Sequence, residues 1–106
     1  TDYFRRNTEL MVLTAKHAGS DVILASCPFN DLVGEARMRA MPEHNAVLEE
    51  AASRMDASFF DLHRAFDRRP ELLPDGLHVS QEGSDLKAQL YLDYLVETYG
   101  LFRGEP

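Results

Sequence analysis

The sequence predicts an α/β fold built on a doubly wound parallel sheet, and three observations carry that prediction. Segments of helical periodicity alternate along the chain with short apolar runs. The first of those runs, Val22–Ser26, is nearly unbroken, as expected of a strand covered on both faces, and Ser58–Leu62 reads as a second strand. The second run leads into a turn-rich loop, Leu72 to Gly83, that opens a helix, which is where open α/β sheets gather functional groups.

At 106 residues the chain has room for one domain and one core. With 44% apolar and 27% charged residues, its composition is globular and not disordered. The formal charge is -7 and the basic residues are scattered as Arg5-Arg6, Arg37, Arg39 and Arg68-Arg69, which argues against a nucleic-acid partner. No apolar run is long enough to span a bilayer. Cys27 is the single cysteine, so there is no internal disulfide framework and the compartment stays open. No pattern asks for a cofactor or metal: His63 with Asp75 and His78 fits none of the zinc spacings. The chain opens at Thr1 without an initiator methionine or a signal segment, from which a longer parent is expected.

Taken in order, Thr1 or Asp2 caps a first helix with Phe4, Met11, Ala15 and Ala18 as its apolar positions, Lys16 and His17 in its last turn and Gly19 as its stop. The strand Val22–Ser26 follows and Pro28 ends it. After a loop from Phe29 to Gly34, a second helix carries Met38, Met41, Leu48, Ala51, Ala52 and Met55 on one side, with a restart expected at Pro42. His44 and Asn45 lie within it as a packed or solvent-facing pair. A second strand, Ser58–Leu62, ends near Asp61, which reads as a structural cap, and His63 reads as a surface histidine. The last helix runs from about Gln81 to Tyr99, with Ser80 as N-cap, Leu86, Leu90, Tyr91, Tyr94 and Leu95 as its buried stripe and Gly100 as its stop. Two strands and three helices are fewer than a doubly wound sheet contains, so part of the sheet is expected to lie outside these residues.

Asp75 and His78 share one tight turn in Leu72-Leu73-Pro74-Asp75-Gly76-Leu77-His78. The carboxylate can hold one ring nitrogen and leave the other free as a general base, while Pro74 and Gly76 supply the backbone geometry of the turn. Cys27, Pro28 and Phe29, at the carboxyl end of the first strand, are candidates for lining an acyl pocket, with a buried inert thiol as the alternative for Cys27.

Asp75-Gly76-Leu77-His78 followed by Val79-Ser80-Gln81-Glu82-Gly83 resembles the last conserved block of the SGNH (GDSL) hydrolases. The layout upstream is similar too. Leu10 to Ser26 looks like that family's helix and fourth strand, Asn45-Ala46-Val47-Leu48 its next helix, and Phe59-Phe60-Asp61-Leu62 its fifth strand. The resemblance implies a partial flavodoxin-like, three-layer α/β/α domain, the C-terminal portion of an SGNH-type hydrolase spanning residues 1–106. It also implies hydrolysis of carboxylic esters by serine acyl transfer, with His78 as base and Asp75 as its orienter, and no cofactor. The family's serine, glycine and asparagine blocks are absent here: Gly83-Ser84-Asp85 and Gly19-Ser20-Asp21 carry the wrong order or position for the nucleophile. Loss of the serine alone costs on the order of 10⁶ in turnover in subtilisin, so this chain by itself is expected to be inactive.

The expected partners are an ester substrate and either the N-terminal half or a second copy. The alternative from a different class is a non-catalytic interaction module that pairs through an open strand edge at Val22–Ser26. A proteolytic remnant with no role of its own is the third reading.

Overall fold

A computed structural model describes residues 2–101. The element order is α1 Asp2–His17, β1 Ile23–Ala25, a 3₁₀ turn Asp31–Val33, α2 Glu35–Arg54, β2 Ser58–Phe60, α3 Leu62–Ala65, a second 3₁₀ turn Pro70–Leu72, and α4 Gln81–Tyr99. β1 and β2 form a two-stranded parallel sheet with Leu24 opposite Phe59. Two bonds extend the ladder, Ser58 N–H to Val22 O at 2.9 Å and Ser26 N–H to Phe60 O at 3.0 Å. The parallel α/β class expected from the sequence is present, with more helix than strand.

Both strands are shorter than their apolar runs, and four α-helices stand where three were expected. The extra helix begins at Leu62, which the run Ser58–Leu62 had assigned to the strand. The backbone leaves the ladder because His63 N–H donates to Ser26 Oγ, whose own hydroxyl donates to Asp61 Oδ1, each at 2.8 Å. Leu62, Ala65 and Phe66 then follow helical spacing, with Leu62 and Phe66 buried.

α2 does not restart at Pro42 but runs through it as one helix of 20 residues. Pro42 is exposed. Met38 is exposed as well, so the missing i+4 donor to its carbonyl costs less than it would in the interior. α1 differs from its expected stripe as well: Thr8 and Val12 are the buried positions, Phe4 and Ala15 are half-buried, and Met11 is 64% exposed. The cause is packing against α2. α1 lies along α2, with Phe4 stacked on His44 at 4.2 Å, Arg5 and Glu9 paired with Glu50 and Arg54, and Lys16 Nζ donating to Asp56 O.

α4 starts and stops where the sequence puts it. Ser80 Oγ accepts the Gly83 N–H at 3.1 Å, and Gly100 closes the helix at φ 67°. Its expected stripe is only half-buried. Phe60 of β2 meets Tyr91 edge-on and stacks with Tyr94, while the Ser58 and Tyr99 hydroxyls are 2.9 Å apart. Beneath the loop that joins β2 to α4, Leu62, Phe66, Leu72 and Leu73 form a buried cluster supported by Val79, Leu86 and Leu90. Gly83 lets α4 close on this cluster, since a Cβ there would lie 2.7 Å from Leu72 O.

The molecule is a slab of 46 × 35 × 17 Å with a radius of gyration of 15.2 Å. A compact domain of this length has about 13 Å. Leu10, Met11 and Leu13 on α1 and Leu92 on α4 remain exposed. Among the described residues no helix is long and apolar enough to cross a membrane.

Gly76 and Gly19 separate two costs of a side chain. Both have positive φ, 87° and 85°, but a Cβ at Gly76 would lie 2.6 Å from Val33 N and 2.9 Å from Asn30 Oδ1, whereas one at Gly19 meets nothing. Gly19→Ala is expected to cost about 1 kcal/mol of unfolding free energy from backbone strain alone, and Gly76→Ala about 3 kcal/mol. Urea unfolding measures both; equal losses would show that the Asp75 turn does not pack against the loop after β1.

Candidate active site

The Asp75–His78 turn is assembled by local chemistry. Gly76 N–H donates to Leu73 O at 2.9 Å, closing the turn that Pro74 enters. The Asp75 carboxylate then accepts three donors. Oδ1 takes Leu77 N–H at 2.9 Å and His78 N–H at 2.7 Å, and Oδ2 lies 2.6 Å from His78 Nδ1. One oxygen performs the capping that short aspartate turns commonly show, and the other holds the imidazole.

These donors hold the Asp75 carboxyl well below the usual carboxylate range, the His78 backbone N–H contributing most, then its ring, then the Leu77 N–H. An ionised carboxylate only accepts, so the proton shared with Oδ2 resides on His78 Nδ1. In the neutral ring Nε2 then carries the lone pair, and no described residue hydrogen-bonds it. The geometry is that of a general base held in one tautomer. Both side chains are open to water, 57% exposed for Asp75 and 81% for His78.

The turn sits beside the carboxyl end of the sheet. The loop leaving β1 reaches it through Asn30 N–H, which donates to Gly76 O at 2.9 Å. That is the location expected from the chain order.

Cys27, Pro28 and Phe29 are separated by the fold. Cys27 N–H donates to Asn45 Oδ1 and Cys27 O accepts from Asn45 Nδ2, at 2.8 and 3.1 Å, so the residue is clamped to α2. Cys27 is exposed and not the buried thiol of the alternative reading; partial desolvation still pushes its thiol up, opposed by the Lys87 charge, which leaves it a poor nucleophile at neutral pH. Pro28 is buried. Phe29 stacks on His63 at 4.3 Å and lines a shallow cleft of about 440 Å³ with Phe66, Pro70 and Arg68. The described lining of that cleft includes neither Asp75 nor His78.

His63 is therefore not a free surface histidine. Its ring packs on Phe29 and its Nδ1 accepts the Phe29 N–H at 3.4 Å. Ser26, Asp61 and His63 together have the residue types of a triad, but the hydroxyl is spent on Asp61 and meets His63 only at its backbone N–H. That cluster fastens strand ends. The sequence reading took Asn45 as a packed or solvent-facing residue and gave Ser26 no role beyond its strand, whereas the structure makes each a tie between elements. An amide side chain in mid-helix, a poor position by propensity, was the available signal for Asn45. For Ser26, a hydroxyl at the end of an apolar strand carried no signal of its own.

Among the described residues no group of three or more His, Cys, Asp and Glu side chains converges as metal ligands would. Comparison with protein-family models, curated proteins and solved structures gave no match.

Asp75 links this geometry to pH. Its folded pKa lies below the unfolded value of about 4, so its contribution to stability is complete above that value and is lost as pH falls through and below it. The stability gap between the wild-type chain and Asp75→Asn is expected to be widest above about pH 5 and to narrow below about pH 4. Urea unfolding at stepped pH reads this directly. A gap that stays constant across the range would mean that the turn does not hold the carboxylate.

Proposed function

We propose that this chain carries the acid and base of an SGNH-type serine hydrolase acting on carboxylic esters, with the nucleophile and most of the oxyanion donors supplied from outside these residues. The observation that carries the reading is the Asp75 Oδ2 to His78 Nδ1 pair at 2.6 Å, at the carboxyl end of a parallel sheet and with Nε2 unengaged by the described residues. His78 Nε2 takes the proton of a serine hydroxyl as its oxygen bonds to the ester carbonyl carbon. The imidazolium, stabilised by Asp75, then returns that proton to the departing alkoxide, and the same cycle with water releases the acid.

The openness of the pair favours a missing cover. Catalytic dipoles act best where water is excluded, and Asp75 at 57% exposure lacks that environment in this chain alone. A flavodoxin-like three-layer domain completed by further strands would provide it. The slab shape and the exposed apolar residues on α1 and α4 accord with such a completion.

One observation favours a second reading. Val22 O, Ser26 N and the ladder between them face β2, so by strand alternation the Ile23 and Ala25 amides face outward along an edge that no described strand pairs. A module that binds another chain there by strand addition needs no chemistry at His78.

Hydrolysis of p-nitrophenyl acetate decides between them, measured for this chain, for the complete product of its gene, and for that product with His78→Ala. The hydrolase reading expects activity in the complete product alone, falling about 10³-fold or more on His78→Ala. A complete product without activity, or one indifferent to His78→Ala, would remove the hydrolase reading and leave the strand edge as the functional feature.

A further inference from the structure

The Asp75 turn does not hold itself in place; the loop after β1 holds it. Asn30 N–H donates to Gly76 O at 2.9 Å and Asn30 Nδ2 donates to Leu73 O at 3.1 Å, so a single residue bonds the backbone on both sides of Asp75. Its remaining side-chain atom is committed as well, since Asn30 Oδ1 accepts Leu32 N–H at 3.0 Å and caps the 3₁₀ turn Asp31–Val33. Gly76 fits against this same residue only because it lacks a Cβ, which would come 2.9 Å from Asn30 Oδ1. Among the described residues Asp75 and His78 make no hydrogen bond of their own to another element: the bonds of their side chains run within Asp75–His78.

We infer that Asn30 is a positioning residue for the acid–base pair: by bonding Leu73 O and Gly76 O it fixes the turn in which Asp75 holds His78 in the Nδ1–H tautomer. The inference rests on the functional reading of that pair, but its test reads the pair directly and does not require catalysis. An amide suits the position because it must donate to a carbonyl and accept from an N–H at once. A carboxylate would set its charge against Leu73 O, and a hydroxyl is too short to reach from the capping position to that carbonyl.

Asn30→Ser is the informative variant, because serine can still cap Leu32 N–H while losing the tie to Leu73. Asn45→Ala is the control: it deletes two bonds to the same connecting loop, at Cys27, without touching the turn. Long-range ¹H–¹⁵N spectra of the histidine rings report the tautomer. The expected result is a several-fold fall in the Nδ1–H to Nε2–H ratio of His78 in Asn30→Ser and a ratio within about twofold of wild type in Asn45→Ala. An unchanged ratio in Asn30→Ser, or an equal fall in both variants, overturns the inference. Should Asn30→Ser fail to fold, amide hydrogen exchange in the wild-type chain decides. The Asn30 and Gly76 amides are expected to open together as one unit, and a Gly76 amide that exchanges freely while Asn30 stays protected refutes the tie. In the complete gene product the same variant is expected to lower kcat about tenfold or more with KM nearly unchanged, because misplacing a base by an ångström weakens the transition state and not substrate binding. A product inactive in wild-type form would count against the hydrolase reading and leave the tautomer result standing.

Discussion

The Ser26 hydroxyl fastens the carboxyl ends of both strands to each other, and the turn into α3 follows from it. It is buried, donates to Asp61 and accepts from His63, so a polar group in the interior has both of its roles filled. A buried hydroxyl left without partners would cost on the order of 1–3 kcal/mol. With partners it works as a pin. β2 stops at Phe60, α3 begins at Leu62, and His63 is delivered to Phe29 on the neighbouring loop.

Amide side chains carry the rest of that organisation. Asn45 reaches from α2 to both backbone groups of Cys27, and Asn30 reaches from the loop after β1 to the Asp75 turn. Loops at the end of a parallel sheet have backbone groups that no ladder pairs, and residues able to donate and accept at once are an economical way to satisfy them. The Asp75–His78 turn stands at the end of this polar framework, beside a small apolar cluster centred on Leu62, Phe66, Leu72 and Leu73.

The packing is uneven in an informative way. α1 packs along α2 and leaves Leu10, Met11 and Leu13 exposed, and α4 buries its stripe only by half. Parallel sheets are normally covered on both faces and flanked by more than one strand. The two described strands therefore cover the apolar residues of these helices only in part.

How far the sequence could be read varied with the range of the interaction concerned. The Ser80 cap, the Gly100 stop and the Asp75 to His78 contact were legible because each is settled within four residues. The parallel pairing was legible from two apolar runs, although their ends were not. Continuity of α2 through Pro42 was missed because a propensity weighs the lost bond and not the exposure of the site where it is lost. The buried face of α1 was missed because periodicity marks every apolar position, while burial depends on which neighbours exist.

By itself, then, the sequence determined the class of fold, the turn and the partner of the imidazole, all products of local geometry and hydrophobic period. Only the tertiary structure decided that Asn30 ties that turn to the loop after β1, that Asn45 clamps Cys27, and that Phe29 belongs to a cleft apart from the pair. Those contacts join residues 18 to 43 positions apart. A single side chain far along the chain leaves no periodic trace, so nothing short of the folded backbone can bring the two ends of such a bond together.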